Sequence, residues 1–175
     1  MADLNKDLRP VASFAYLTRQ LPPHASMISW SASLETGHPM MDADHRTIID
    51  HLNLLEIALQ KGASPEELEG FIAFLDDYTR GHFGREESYF AQVRCPASGE
   101  NCAAHALLRN YLDEWQQERM ATGVTPELAL KVYITTSKWI CSHIFTVDHK
   151  VRSCLPRPSP AGSGTIIRPG FQVSG

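Results

Sequence analysis

The chain has 175 residues, 43% of them apolar and 21% charged, and its 16 Lys and Arg against 20 Asp and Glu leave a net charge of −4. Those values describe one ordinary folded domain. The acidic balance speaks against an electrostatic nucleic-acid binder, which needs a basic face to displace counterions from phosphates. The longest uninterrupted apolar run is five residues, Phe71 to Leu75, against the roughly 20 that span a bilayer, so no membrane-crossing segment is expected.

Residues 1–29 read as an N-terminal extension, in which Pro10, Pro22 and Pro23 bound a segment that could form one short helix. Asp3 and Asp7 stand among the first residues with no succession of basic, apolar and small residues, so no signal peptide is read and a cytoplasmic location is expected. Helical punctuation begins at Pro39, and Lys61-Gly62 closes that first helix with a basic last turn and a glycine. Ser64-Pro65-Glu66-Glu67 opens a second, with a capping Ser, Pro at the first helical position and Glu three residues after the cap. Cys95-Pro96 ends it, Ser98-Gly99 precedes a third, and Thr125-Pro126-Glu127 repeats the start signal for a fourth.

The expected spans are about 39–61, 65–94, 100–121 and 126–150. Within them Ile48, Leu52, Leu55 and Leu59 recur at three- and four-residue steps, as do Leu68, Ile72, Leu75 and Leu128, Val132, Thr135, Trp139. Strand-like alternation is absent. Short connections between long helices favour antiparallel neighbours, so residues 30–155 are expected to form an all-α, up-down four-helix bundle. Residues 156–175 hold four Pro, four Gly and three Ser, a composition that buries too little apolar surface to offset chain entropy, and read as a flexible tail. Cys95, Cys102, Cys141 and Cys154, in a chain long enough to build its own core, are expected to be reduced thiols.

Eight histidines stand out. His82 and Glu86 are four apart on the second helix, about 40° around its axis, and share a face flanked by Tyr78, Phe83, Tyr89 and Phe90. His143 and Asp148 are five apart, about 140° on an ideal helix, a spacing that needs a long reach or one wide π-turn. His45 and His105 add one imidazole from each remaining helix. Bundle interiors are where inward-projecting His and Asp/Glu build di-iron carboxylate sites, and a mixed imidazole and carboxylate set suits iron better than zinc, whose structural sites prefer thiolates. Taken singly, a His/Glu pair is common on any helix surface, and His143 beside Trp139, Ile144 and Phe145 could equally be a hydrogen-bonded core residue. His51, about 240° from His45, faces away; His149 is either exposed or a partner of Asp148; His24 and His38 lie outside the helices and are expected in solvent.

The string His82-Phe83-Gly84-Arg85-Glu86-Glu87 resembles the HFxxEE signature of hemerythrins. Trp139-Ile140-Cys141-Ser142-His143-Ile144 with Asp148 resembles their W(L/I)xxHIxxxD, and Trp30, Gly37, Asp42, His45 and Asn53 fall at the spacing of the bacterial pattern. The resemblance covers about residues 30–150. It implies two Fe ions, cycling between Fe2+ and Fe3+, bridged by one Glu, one Asp and an oxo or hydroxo group, with O2 binding at the less saturated iron. Carried over by position, His45 and His82 would hold that iron, His105 and His143 the other, and Glu86 and Asp148 would bridge. Family members carry, store or sense oxygen, and some bacterial relatives react with peroxide or nitric oxide.

The family's third helix carries HxxxH, and here the first of those positions is Asn101. An amide is a poorer ligand for iron than imidazole. Water, Asn101 itself, Glu100 or Cys102 could fill the gap; or both irons are open, which favours oxidation by O2 or peroxide over reversible binding; or the site is mononuclear or empty. Alternatively Asn101 caps the third helix. Gly81 and Gly84, each costing about 1 kcal/mol against Ala in a helix interior, either are tolerated surface residues or leave an access path beside the open iron. The leading expectation is a di-iron protein that binds O2 or a similar small ligand (azide, NO or peroxide), for storage, delivery or sensing. Against it stand a di-iron redox enzyme handling peroxide or nitric oxide, and an interaction module whose Pro-rich tail contacts a protein partner.

Overall fold

The computed structural model describes residues 27–155; the expected tail and all but the last three residues of the expected N-terminal extension lie outside them. Local chemistry starts three of the four helices. In helix α1, Pro39–Lys61, the cap is His38, whose Nδ1 accepts from Met41 N–H at 3.4 Å. Helix α2, Pro65–Gln92, has both halves of the capping box: Glu67 N–H donates to Ser64 Oγ at 3.3 Å, and Ser64 N–H to Glu67 Oε2 at 2.8 Å. Helix α4, Pro126–Thr146, is capped by Thr125, whose Oγ1 accepts from Leu128 N–H at 3.1 Å. Each has Pro at the start, where a missing N–H leaves nothing unsatisfied. Helix α3, Ser98–Thr122, follows Ala97 and has no side-chain cap.

Gly62 ends α1 at φ 73°, a left-handed conformation that glycine adopts without a Cβ clash. The connection there is three residues long, so α1 and α2 must run antiparallel. Each helix packs on its neighbours in the ring α1, α2, α3, α4 and back to α1. This is the up-down bundle. Ile48, Leu52, Leu55, Leu68, Leu75, Leu108, Leu128, Val132 and Ile140 fill its interior, all nearly inaccessible to solvent. Tyr133 of α4 donates to the buried Glu56 of α1 at 2.6 Å, and burial with that carboxylate pushes the Tyr133 hydroxyl pKa above its ordinary value. Among the described residues there is no strand, and no helix is long and apolar enough to cross a membrane.

Two expectations are corrected here. Helix α4 stops at Thr146, not near residue 150, and neither a π-turn nor a long reach is used: Val147 leaves the helical run, with φ −113° and ψ −59°, and a 3-10 helix, Asp148–Ser153, begins. That turn carries Asp148 back into the bundle end. The thiols are not all reduced, since Cys95 and Cys154 form a disulfide, leaving Cys102 and Cys141 free. A separation of 59 residues gives no local spacing signal, and only the fold brings the pair together. Around it Met41, Phe90, Cys95, Ala97 and Val151 form a second, smaller apolar cluster.

The segment before α1 is held by side chains from the helix it precedes. Asn53 clasps the backbone of Ile28, accepting from its N–H at 2.8 Å and donating to its carbonyl at 3.0 Å. Asp42 accepts from Thr36 N–H, Thr36 Oγ1 and Gly37 N–H at 2.7, 2.7 and 3.2 Å. Gly37 sits at φ 81°, which explains a glycine there. The Arg46 guanidinium lies over the Trp30 ring at 4.6 Å.

Candidate metal centre

Antiparallel packing decides where the polar residues meet. His45 lies near the start of α1, His82 and Glu86 near the end of α2, Asn101 and His105 near the start of α3, and His143 at the end of α4. In an up-down bundle those four places share one end. Asp148 arrives there on the 3-10 helix. His45, His82, Glu86, Asn101, His105 and Asp148 are fully buried and His143 is 3% exposed.

Each carboxylate stands between histidines from different helices. Glu86 Oε2 is 3.5 Å from His82 Nε2 and 3.2 Å from His105 Nε2. Asp148 Oδ1 is 2.9 Å from His143 Nε2, and its Oδ2 is 3.3 Å from His45 Nε2. His105 Nε2 and His143 Nε2 are 3.0 Å apart. Two donors at right angles, each about 2.1 Å from an ion, stand about 3 Å apart, so these separations suit a shared cation. Two overlapping sets result: His45, His82 and Glu86, and Glu86, His105, His143 and Asp148.

The hydrogen-bond inventory fits a cation as well. Both nitrogens of His45, Nε2 of His82, both oxygens of Glu86, Oδ2 of Asp148 and Oδ1 of Asn101 are buried without a hydrogen-bond partner. In folded proteins the large majority of buried polar atoms are satisfied, and an orphaned one costs about 1–3 kcal/mol. Trp30, Thr79, Trp115, Thr136, Ser137 and His149 each carry a single orphan as well, so it is the clustering that marks the bundle end. The orphans of His82, Glu86 and Asp148, with one nitrogen of His45, lie together among the grouped residues, as donors awaiting a positive ion would. The electrostatics agree. Burial, with the Asp148 charge, pushes the Glu86 carboxyl up to about 7. Burial alone would raise Asp148 too, but the His143 imidazole at 2.9 Å and the His45 imidazole at 3.3 Å hold it well below the usual carboxylate range. Burial pulls His105 down to about 4 and lowers His82, so both imidazoles stay neutral and keep a lone pair to offer.

Carboxylates behind two of the histidines set their orientation. His82 Nδ1 faces Asp44 Oδ2 at 3.4 Å, and Asp44 also accepts from Arg85 Nε and Tyr78 OH, both at 2.9 Å. Burial works against the Asp44 charge, yet these donors hold its carboxyl below its ordinary pKa. His105 Nδ1 faces Glu87 Oε1 at 2.9 Å, and Arg109 binds the same oxygen at 2.8 Å. A proton on each Nδ1 leaves Nε2 bare and aimed inward. Phe83 stacks on His105 with centroids 3.8 Å apart, and Trp139 on His143 at 4.2 Å. The sequence reasoning missed Asp44 and Glu87 as partners. Each directly neighbours a candidate ligand, which turns it about 100° toward the next helix, and that adjacency was the available signal.

Other candidates fall elsewhere. Glu100 is exposed and bound by Lys150 at 2.6 Å, and Cys102 is exposed, so neither faces the gap left at Asn101. Asn101 does not cap α3, which begins three residues earlier. Its Nδ2 instead lies 3.4 Å from Asp148 Oδ1 and 3.5 Å from His105 Nε2. His51 stacks on Phe74 at 3.5 Å, and His149 is half-buried beside Phe145. His38, expected in solvent, caps α1 and packs on Tyr89 at 4.1 Å; His24 lies outside the described residues. Gly81 and Gly84 are exposed and open onto an outer groove of about 740 Å³ lined by His38, Arg80, Arg85 and Tyr89. His82 is not among the residues that line it. A Cβ at Gly84 would meet nothing within 4 Å, so Gly84→Ala is expected to stabilise the protein by up to about 1 kcal/mol, read as a rise in Tm with unchanged azide binding.

The family model of the Hemerythrin HHE cation binding domain matches residues 36–153. The bacteriohemerythrin of Stenotrophomonas maltophilia (strain R551-3) is 26% identical over 123 residues, covering 68% of this chain and 75% of its own length. That of Pseudomonas paraeruginosa (strain DSM 24068 / PA7) is 30% identical over 119 residues, and that of Pseudomonas aeruginosa (strain LESB58) 29% over 119, with the same shares. A family match over most of the bundle coincides with a buried end where histidines and carboxylates converge, and the chain belongs to the hemerythrin HHE cation-binding family.

Proposed function

We propose that this bundle end holds two iron ions and binds O2, or a small ligand like it, for storage, delivery or sensing. The observation that carries the reading is the convergence of buried, orphaned donor atoms of His45, His82, Glu86 and Asp148 beside His105 and His143. His45 and His82 would hold one ion and His105 and His143 the other, with Glu86 and Asp148 between them. Ferrous iron, when bound, supplies the electrons for O2 that no side chain here can. The chain's own part is to fix the imidazoles through Asp44 and Glu87, balance charge with two carboxylates, and wall off water with Phe83 and Trp139. Bacteriohemerythrin, the name borne by the relatives above, supports the same reading.

Purification with iron followed by metal count and visible absorption, with and without azide, tests it. About two irons per chain and azide-sensitive diferric bands are expected, and a spectrum that cycles with O2 identifies a carrier. Fewer irons, or no such bands, defeat the reading. A redox enzyme turning over peroxide or nitric oxide is the second reading, favoured by Asn101 where the family has a ligating histidine; sustained turnover without bleaching would select it. Asp44→Ala should weaken iron binding about 10- to 100-fold, the usual effect of removing a carboxylate that orients a ligating histidine, measured by chelator competition.

A further inference from the structure

Asn101 stands where the resemblance to hemerythrins places the first histidine of HxxxH, and its surroundings bear on what it does. It is fully buried, in the first turn of α3, one helical turn before His105, so both project to the same face. The near end of its amide lies 3.4 Å from Asp148 Oδ1 and 3.5 Å from His105 Nε2. Both atoms belong to the set that also includes Glu86 and His143. Without a cation, Nδ2 is the end that belongs there, because a carboxylate oxygen and a bare imidazole nitrogen both accept hydrogen bonds. The other end, Oδ1, has no partner. A half-turn of the terminal torsion exchanges the two ends in nearly the same volume, at the loss of no hydrogen bond to Oδ1.

We propose that Asn101 is a ligand of the second metal position, presenting Oδ1 beside His105 and His143 when a cation is bound and Nδ2 when it is not. The proposal rests on the two-metal reading above. With the amide oxygen in place that position has two imidazoles, one neutral oxygen and its share of two carboxylates. An amide oxygen is a harder, weaker donor than the imidazole it replaces. The second ion is therefore held more loosely than the first and exchanges more readily. No residue in the neighbourhood competes for the role, since Glu100 and Cys102 turn outward.

The test is stepwise binding of ferrous iron, added anaerobically to the metal-stripped full-length chain against a competing chelator, for wild type, Asn101→Leu, Asn101→Asp and Asn101→His. Asn101→Leu keeps the shape without a donor. It should weaken the second equivalent by at least about tenfold, the lower bound for removing even a group that only supports a ligand, and leave the first within about threefold. Asn101→Asp and Asn101→His should tighten the second equivalent. An Asn101→Leu protein with an unchanged second step, or with both steps weakened alike, overturns the assignment, the latter because a packing role would not choose between the ions. If Asn101→Leu does not fold, the Asp and His variants decide: a second step unchanged in both overturns it. Wild type taking up fewer than about two ions is a separate result, which fails the di-iron reading and carries this assignment down with it.

Discussion

Glu86→Gln is expected to make the metal-free protein more stable than wild type and the metal-loaded protein less stable, a crossing that a purely structural residue would not produce. Glu86 is fully buried, close to the Asp148 charge, and burial with that charge pushes its carboxyl from an ordinary 4.5 up to about 7. A group whose folded pKa is raised contributes fully below its unfolded value, and that contribution is lost as pH climbs through the folded one. The loss for Glu86 sets in as pH rises above about 4.5, is complete above about 7, and is on the order of a few kcal/mol at about 1.4 kcal/mol per unit. Glutamine imitates the protonated acid and escapes it. The metal-free variant should therefore gain on wild type as pH rises toward 8 and lose that lead toward pH 4.5. On the proposed two-iron reading the order reverses with iron, because a neutral amide is a far poorer bridge between two cations than a carboxylate. Each ion at a hundredfold excess over its Kd adds about 2.7 kcal/mol, so loading wild type should raise Tm by on the order of 10 °C, and most of that shift should vanish in the variant. Calorimetry at pH 8, in chelator and with anaerobic ferrous iron, measures both arms. A variant that keeps the full metal-induced shift would remove Glu86 from the site.

What the sequence made legible was local. The starts of α1, α2 and α4 follow from Pro at the first position and from caps within three residues, and the structure has them there. The start of α3 has no side-chain cap to announce it. The end of α4 could not be read because a tertiary demand sets it: Asp148 is drawn to His45 and His143, and Val151 to the cluster around Met41 and Phe90. The four-residue step from His82 to Glu86 marked a shared face, since that contact lies within one helix. The pairs His82 with Asp44 and His105 with Glu87 cross between helices, 38 and 18 residues apart, where periodicity carries no information. Asn101 shows the opposite limit. The sequence marks it as a departure, but only the packing shows that its amide reaches Asp148 and His105 while Glu100 and Cys102 do not.

Cys154→Ser is expected to lower stability by about 4 kcal/mol, since the disulfide to Cys95 closes a loop with a separation of 59 residues and so removes that much chain entropy from the unfolded state. In Tm this is on the order of 10 °C. The effect should reach the metal centre too. Cys154 lies just past the 3-10 helix Asp148–Ser153, which is otherwise tied down by buried Val151, by Lys150 on Glu100 and by Arg152 on the Glu35 carbonyl. Releasing its end loosens the segment that presents Asp148 to His45 and His143, so iron affinity should fall along with Tm. Cys102→Ser, at an exposed free thiol, is the control and should stay within about 0.5 kcal/mol of wild type. Alkylation of the denatured, unreduced chain should label two cysteines, Cys102 and Cys141, with Cys95 and Cys154 becoming reactive only after a dithiol reductant. Four labels without reductant would mean that the pair is open in the purified protein. In that case the Ser variant should melt with wild type, and the 3-10 helix would owe its position to Val151, to Lys150 on Glu100, to Arg152 on the Glu35 carbonyl and to the histidines around Asp148.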